Sequence, residues 1–274
     1  MVFLHGAGER GDDLELVKMH GPPKLIDAWK NLPFIVVSPQ LALGEWWSPD
    51  MVAWLVKDTM RALRVDLDRV YLTGFSMGGY GTWETAAKYP ELFAAIVPIC
   101  GRGDPSTAWK LRHIPTWLLQ GAKDPVVPLK HSNDMNRVLR QYGNVKYTIY
   151  PDAEHDSWTE TYDNEELYKW FLSHVRFKYA GASMPAEVER FVGKYASKDN
   201  SAMVYLKEGR LYISLETSGN KELQLKPCGV DSFTFGDIGT YEIKFVPNGR
   251  GIYDAAMVYE RRATLLKKTN SKTV

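Results

Sequence analysis

The chain has 274 residues, 45% hydrophobic and 24% charged, a globular composition that excludes a disordered, collagenous or coiled-coil protein. Its 34 Lys and Arg against 33 Asp and Glu leave a net charge of +1, which gives no support for a broad nucleic-acid or polyanion surface. No apolar run approaches the ~18 residues that span a bilayer. No signal peptide is visible ahead of Glu9, Arg10, Asp12 and Asp13, and Cys100 and Cys228 are too few for a disulfide framework or a structural zinc site. The compartment stays open.

In chain order, Val2–Leu4, Phe34–Val37, Val70–Thr73, Ala94–Ile99, Thr116–Leu119 and Lys146–Tyr150 read as strands. Helical patterns lie between or after them at 23–30, 50–64, 77–88, 131–141 and 164–177. The strand runs are mostly continuous rather than alternating, as parallel strands buried on both faces require. Residues 1–180 are therefore expected to form an α/β domain, a mostly parallel sheet with helices on both faces. After a linker at Ala180-Gly181-Ala182-Ser183 the helical pattern fades. Strands are expected at Ala202–Leu206, Arg210–Glu216, Glu222–Leu225, Ser232–Phe235, Tyr241–Val246 and Ala256–Tyr259. Turn chemistry at Glu208-Gly209, Ser218-Gly219-Asn220, Pro227, Gly236-Asp237 and Pro247-Asn248-Gly249 divides them. A second domain over 184–268 is thus an antiparallel meander, a small barrel or a sandwich. The polar residues from Lys267 to Val274 read as a frayed end.

Gly74-Phe75-Ser76-Met77-Gly78 fits G-x-S-x-G. A strand precedes it and a helix follows it, the context of a nucleophile elbow, in which a sharp strand-to-helix turn exposes the serine hydroxyl. The bland alternative is a buried turn serine capping a helix. A serine nucleophile needs a base, and the base needs an orienting acid. Of the six histidines, His113, His131, His155 and His174 follow Ser76. His155 lies in a loop beyond the last strand, where such a sheet presents its base. His113 precedes a strand, and His131 and His174 fall on helices, which suits surface or packing roles. The acid is expected after the penultimate strand, and Asp124 in Gln120-Gly121-Ala122-Lys123-Asp124-Pro125 is the choice. Asp152 and Asp156 are rivals, although neighbouring side chains diverge and Asp156 is poorly placed to orient His155.

The tetrahedral intermediate needs two backbone N–H donors. One is expected from Met77, directly after the nucleophile. The other is expected from the loop His5-Gly6-Ala7-Gly8-Glu9-Arg10-Gly11, at Ala7, with Gly6 next. That loop also matches G-x-G-x-x-G, but the acidic residue a dinucleotide site wants at the end of the next strand is replaced by Ser38-Pro39-Gln40. The nucleotide reading also leaves Ser76 and His155 unexplained.

With these residues placed, the first ~180 positions resemble the α/β-hydrolase superfamily, in particular its small serine esterases. That group is dienelactone hydrolase-like, feruloyl esterase-like and related to polyhydroxybutyrate depolymerases. The motifs are Phe3 to Gly11, Gly74 to Gly81, Gln120 to Pro128, and His155-Asp156-Ser157-Trp158. The resemblance implies hydrolysis of small-molecule carboxylic esters with no metal or cofactor. In that family two further strands precede the one that carries the His-Gly loop. Their absence here leaves the Phe34–Val37 edge open, and a second copy of the chain is expected to cover it, with the β-domain of the same chain as the second candidate. The last ~85 residues loosely resemble a lipocalin-like accessory β-domain, through Phe191-Val192-Gly193-Lys194-Tyr195, Leu211-Tyr212, Leu225-Lys226-Pro227 and Phe245.

The leading reading is a serine carboxylesterase with the triad Ser76, His155 and Asp124, the donors Ala7 and Met77, and a substrate pocket walled by Trp47 and Trp158, with Trp46 near by. A serine peptidase of prolyl-oligopeptidase style uses the same parts, and a ligand-binding module on a hydrolase scaffold is the third reading.

Overall fold

A computed structural model describes residues 1–28, 32–178, 183–216, 219–229, 231–235, 241–259 and 263–269. The linker at 180–182 and the turn at Gly236-Asp237 lie outside them. The chain divides into two compact units, Met1–Phe177 and Lys178–Val274.

The first unit is built on five parallel strands in the order β1-β2-β3-β4-β5: Val2–Leu4, Tyr71–Phe75, Ala95–Ile99, Thr116–Gly121 and Val145–Tyr150. The apolar runs are continuous because successive side chains feed two cores, one on each face. On one face Val2, Leu4, Leu72, Ile96 and Leu118 pack with α2 (Pro49–Ala62), α3 (Met77–Lys88) and α4 (Leu129–Leu139). On the other, Phe3, Tyr71, Val97, Trp117 and Leu119 pack with α1 (Gly21–Ala28), α5 (Trp158–Asp163) and α6 (Glu165–Leu172). This is the α/β architecture expected.

Two of the elements expected in this unit differ from expectation. Phe34–Val37 is not a strand; Val37 alone makes an isolated bridge, to Val2 of β1, donating its N–H to the Met1 carbonyl and accepting from the Phe3 N–H, both at 2.9 Å. Pro33 and Pro39 flank the run and each lacks a ladder donor, which shortens any pairing there. The helix expected over 164–177 ends at Leu172, and the chain beyond it turns away so that the Arg176 N–H reaches the Asp68 carbonyl at 2.8 Å.

In the second unit nine antiparallel segments follow one another: β6 (Gly193–Ala196), β7 (Ser201–Lys207), β8 (Arg210–Leu215), β9 (Glu222–Gln224), β10 (Lys226–Pro227), β11 (Ser232–Phe235), β12 (Tyr241–Pro247), β13 (Tyr253–Tyr259) and β14 (Ala263–Lys268). The ends of the sheet are β9 and β10, which flank a single residue, Leu225. One bent segment thus pairs with β8 through its first half and with β11 through its second, while β14 pairs back to β6. The arrangement is a barrel rather than a sandwich. Its interior is filled by side chains, with Phe191 stacked on Phe245 at 4.6 Å and edge-on to Phe233 at 5.3 Å.

Candidate active site

The catalytic serine expected from the sequence sits where β2 hands over to α3. Ser76 has φ 52° and ψ −119°, a strained conformation for a residue with a side chain. Backbone packing holds it there. A Cβ on Gly78 would stand 1.9 Å from the Leu4 carbonyl oxygen, so only glycine lets the start of α3 press against the end of β1. The Ser76 N–H donates to the Ile99 carbonyl at 3.0 Å, and the Tyr80 N–H returns to the Ser76 carbonyl at 3.1 Å.

His155, in the loop after β5, has its Nε2 2.9 Å from Ser76 Oγ and its Nδ1 2.9 Å from Asp124 Oδ2. Asp124 follows β4. Its carboxylate is fully buried and accepts from every side: Gln120 Nε2 at 2.8 Å, the Val126 N–H at 2.8 Å and the Val127 N–H at 2.9 Å, besides the imidazole. Gln120 is fixed in turn by the Val127 carbonyl at 3.0 Å and by Ser132 Oγ–H at 2.9 Å. The acid loop and the base loop are tied by the Lys123 N–H donating to Ala153 O at 3.0 Å. The rival acids are engaged elsewhere. Asp152 pairs with Lys123 at 2.8 Å on the surface, and Asp156 accepts the Thr159 N–H and hydroxyl in the first turn of α5.

The two expected oxyanion donors each open a helical segment. Met77 is the first residue of α3 and Ala7 the first of the 3-10 turn Ala7–Glu9, so neither N–H has an acceptor within its own helix. The loop that carries Ala7 is anchored by His5, which is buried. The His5 Nδ1 lies 2.6 Å from the Gly6 carbonyl, and its Nε2 accepts from the Leu41 N–H at 3.0 Å. That pair of partners defines a neutral ring protonated at Nδ1, and burial lowers the His5 pKa below its ordinary 6.5. Arg10 completes the anchor, donating from Nε to the Ala7 carbonyl at 3.0 Å and from Nη1 to the Glu45 carbonyl at 3.3 Å.

The tryptophans part company. Trp158 stands beside the site, 5.3 Å from the His155 ring and stacked on Phe75 at 4.4 Å. Trp47 is 4% exposed; its ring meets His5 edge-on and its Nε1–H donates to the His5 carbonyl at 3.0 Å, so it braces the loop from within the core. Trp46, its neighbour, is 62% exposed.

Sequence reasoning did not single out Gln120, Ser132 or Cys100. Polar residues at a strand's end carry no periodic signal, and Cys100 is distinguished only in space. Its Sγ lies within 4.8 Å of ligand atoms of Asp124 and His155, a triangle that could in principle hold a metal ion. The donor set does not fit one. Burial pushes the Cys100 thiol up to about 12, which keeps it protonated, and His155 and Asp124 already bond each other.

Residues 48–169 match the Phospholipase/Carboxylesterase family. A thermostable esterase of known crystal structure is 34% identical with a TM-score of 0.55, over 64% of this chain and 54% of that one. An acetyl xylan esterase from Aspergillus awamori shares the fold at 15% identity and a TM-score of 0.51, over 62% of this chain and 88% of that one. In sequence, a bifunctional acetylxylan esterase/xylanase from Neocallimastix patriciarum is 26% identical over 180 residues, 57% of this chain and 26% of that protein. The chain thus spans about a quarter of that curated relative and about half of the thermostable esterase. The parallel sheet and the strained serine between β2 and α3 give the unit Met1–Phe177 an α/β-hydrolase fold, and these matches make it similar to carboxylesterases.

Proposed function

We propose that this chain is a serine carboxylic-ester hydrolase that works through an acyl-enzyme. The observation that carries the reading is the unbroken relay from Ser76 Oγ through the His155 ring to the buried Asp124 carboxylate, each link at 2.9 Å. In the first half-reaction Ser76 Oγ attacks the ester carbonyl while His155 Nε2 takes its proton. Asp124 holds the Nδ1–H tautomer and stabilises the imidazolium that forms. The N–H groups of Ala7 and Met77 receive the oxyanion, at the positive end of α3. Collapse of the intermediate breaks the bond to the alcohol oxygen, which takes the proton back from Nε2. Water activated by the same nitrogen then attacks the acyl-enzyme and releases the acid and Ser76. Trp158 forms a wall of the substrate pocket, and Trp47 acts through His5 by holding the donor loop.

The protonated thiol of Cys100 removes it as a competing nucleophile. The packed aromatic interior of the barrel argues against a ligand held inside it, which weakens the binding-module reading. A second copy of the chain is the cover we assign to the edge at Val37, beside which Ile35 is 44% exposed; a monomer by light scattering overturns that assignment.

The test is reaction with a fluorophosphonate followed by peptide mass analysis, beside hydrolysis of p-nitrophenyl esters and a peptide panel. Modification confined to Ser76 with ester turnover is expected. Labelling elsewhere, or turnover of peptides alone, overturns the reading.

A further inference from the structure

The loop after β3 is pinned from several sides. The Cys100 N–H donates to the Leu119 carbonyl at 3.0 Å, and Trp83 Nε1–H donates to the Gly101 carbonyl at 3.2 Å. A Cβ on Gly101 would lie 2.4 Å from the Gly79 carbonyl carbon, so this loop rests backbone to backbone on the first turn of α3. Gly101 and Gly103 are buried, yet Arg102 between them is exposed. Among the described residues no hydrogen bond or ion pair holds its guanidinium. Asp104, the closest acid along the chain, is turned into its own 3-10 turn, where it accepts the Ser106 N–H at 2.9 Å. A fixed backbone thus presents an unpaired cation at the sheet edge that also carries Ser76 and Asp124.

One ring lies next to this loop, and a second packs on that ring. Tyr80 sits one turn into α3 with its backbone against Gly101. Burial pushes the Tyr80 phenol up, and Arg102, Asp124 and Cys100 are the ionisable groups acting on it, which sets its hydroxyl in the field of both the arginine and the triad acid. Trp46 meets Tyr80 edge to face, at 6.4 Å and 77°, with most of its own surface open to solvent. Two rings at nearly a right angle leave a corner that suits a planar group. The Arg102 guanidinium, which acts on Tyr80 at one side of that corner, matches the planar fork of a carboxylate.

We propose that Arg102, Tyr80 and Trp46 form a specificity subsite for an aromatic ring bearing a carboxylate, so that the preferred esters carry an arene carboxylate on the alcohol or on the acyl side. This rests on the esterase reading for its kinetic arm only. The two sides are separated by matched pairs: 4-acetoxybenzoate against 4-acetoxybenzamide for the alcohol, and 4-nitrophenyl 4-carboxybenzoate against 4-nitrophenyl 4-carbamoylbenzoate for the acyl group. The wild-type chain is expected to favour the carboxylate member of one pair by about fivefold in kcat/KM, the scale of a solvent-exposed charge pair. The preference shrinks as salt is added. Arg102→Gln lowers kcat/KM for the carboxylate member by about fivefold more than for the amide, Arg102→Lys keeps part of the preference, and Trp46→Ala raises KM for both members alike.

The binding arm uses Ser76→Ala and calorimetric titration with benzoate and benzamide, which needs no turnover. Benzoate binding tighter in the Arg102 chain and equal to benzamide in the Arg102→Gln chain supports the subsite even if no ester is cleaved, in which case the esterase reading alone fails. Ester turnover with no carboxylate preference in either pair, or an equal loss for both members in Arg102→Gln, overturns the subsite and leaves the esterase reading standing.

Discussion

In the unit Met1–Phe177 the strands are continuous apolar runs, covered on both faces, and polar side chains are nonetheless taken inside: His5, Glu9, Gln120, Asp124, Ser132 and Ser157 are all buried. In the unit Lys178–Val274 the strands alternate, with β7 burying Ala202 and Val204 and exposing Met203 and Lys207, and among the described residues only Thr234 and Glu242 are buried polar groups. The rings of Phe191, Phe233, Phe235 and Phe245 fill the interior. A buried polar group costs stability unless it is bonded, so a fold that carries many must hold each with partners. The first unit does this around Asp124. The difference is one of purpose: a parallel sheet leaves loops at one edge where polar groups converge, while a meander closed on a core of rings keeps little there for chemistry.

Substitutions can break this comparison or sharpen it. The largest effect is expected at Ser76→Ala, a loss on the order of 10⁴–10⁶ in kcat with an unchanged circular dichroism spectrum. Near-wild-type turnover in the purified variant removes Ser76 from the mechanism. Asp124→Asn should lower kcat by about 10⁴, because the amide favours the wrong imidazole tautomer. Asp152→Asn and Asp156→Asn should stay close to wild type, and if either does the damage in place of Asp124→Asn the assigned acid is wrong. Phe233→Ala, in the core of the barrel, is expected to cost about 3–5 kcal/mol in denaturant unfolding. Its effect on kcat/KM for a small ester should stay within about twofold, since the relay draws on no residue of the second unit. A parallel collapse of activity under conditions where the variant remains folded would show that the two units share one function.

The smallest effect concerns His5. Its folded pKa is depressed by burial, so as pH falls below 6.5 the unfolded chain takes up a proton that the folded chain refuses. Stability contributed by the neutral ring is present above that value and is lost on acidification through it. Chemical denaturation at about pH 7.5 and about pH 5.5 should show a smaller pH-dependent loss for His5→Gln than for the wild type. Equal losses would remove His5 from the acid sensitivity.

Much of the first unit could be read from the residues, because its signals are local. Gly74 to Gly78 demands a tight turn, and order along the sheet suggests where a base and an acid belong. Of the residues this points to, His155 lies within hydrogen-bond distance of both Ser76 and Asp124. The supports were not legible. Gln120 and Ser132 are ordinary polar residues until the fold brings β4 and α4 together, and nothing in Trp46-Trp47 tells which ring turns inward. Phe34 to Val37 has the composition of a strand, but the prolines on either side matter more than the apolar run. In the barrel, β6 escapes notice because only Tyr195 of its four residues is buried, and β14 because its lysines flank Leu266, the buried residue among those whose side chains are described.

The closure of the barrel has a kinetic consequence. With β9 and β10 taken as one bent segment, each strand from β6 to β14 pairs with the one before it, so the meander can zip up hairpin by hairpin from contacts that are close in sequence. The pairing of Lys267 with Ala196 and of Lys268 with Tyr195 is different, since it joins the first strand to the last. Bringing those ends together costs on the order of 4 kcal/mol in chain entropy, from the logarithmic dependence on loop length. Until the intervening strands have formed and shortened the effective loop, no local contact offsets that cost. The seam between β6 and β14 should therefore be the last part of the barrel to form and the first to open, with the fastest amide exchange of any strand pair in the second unit.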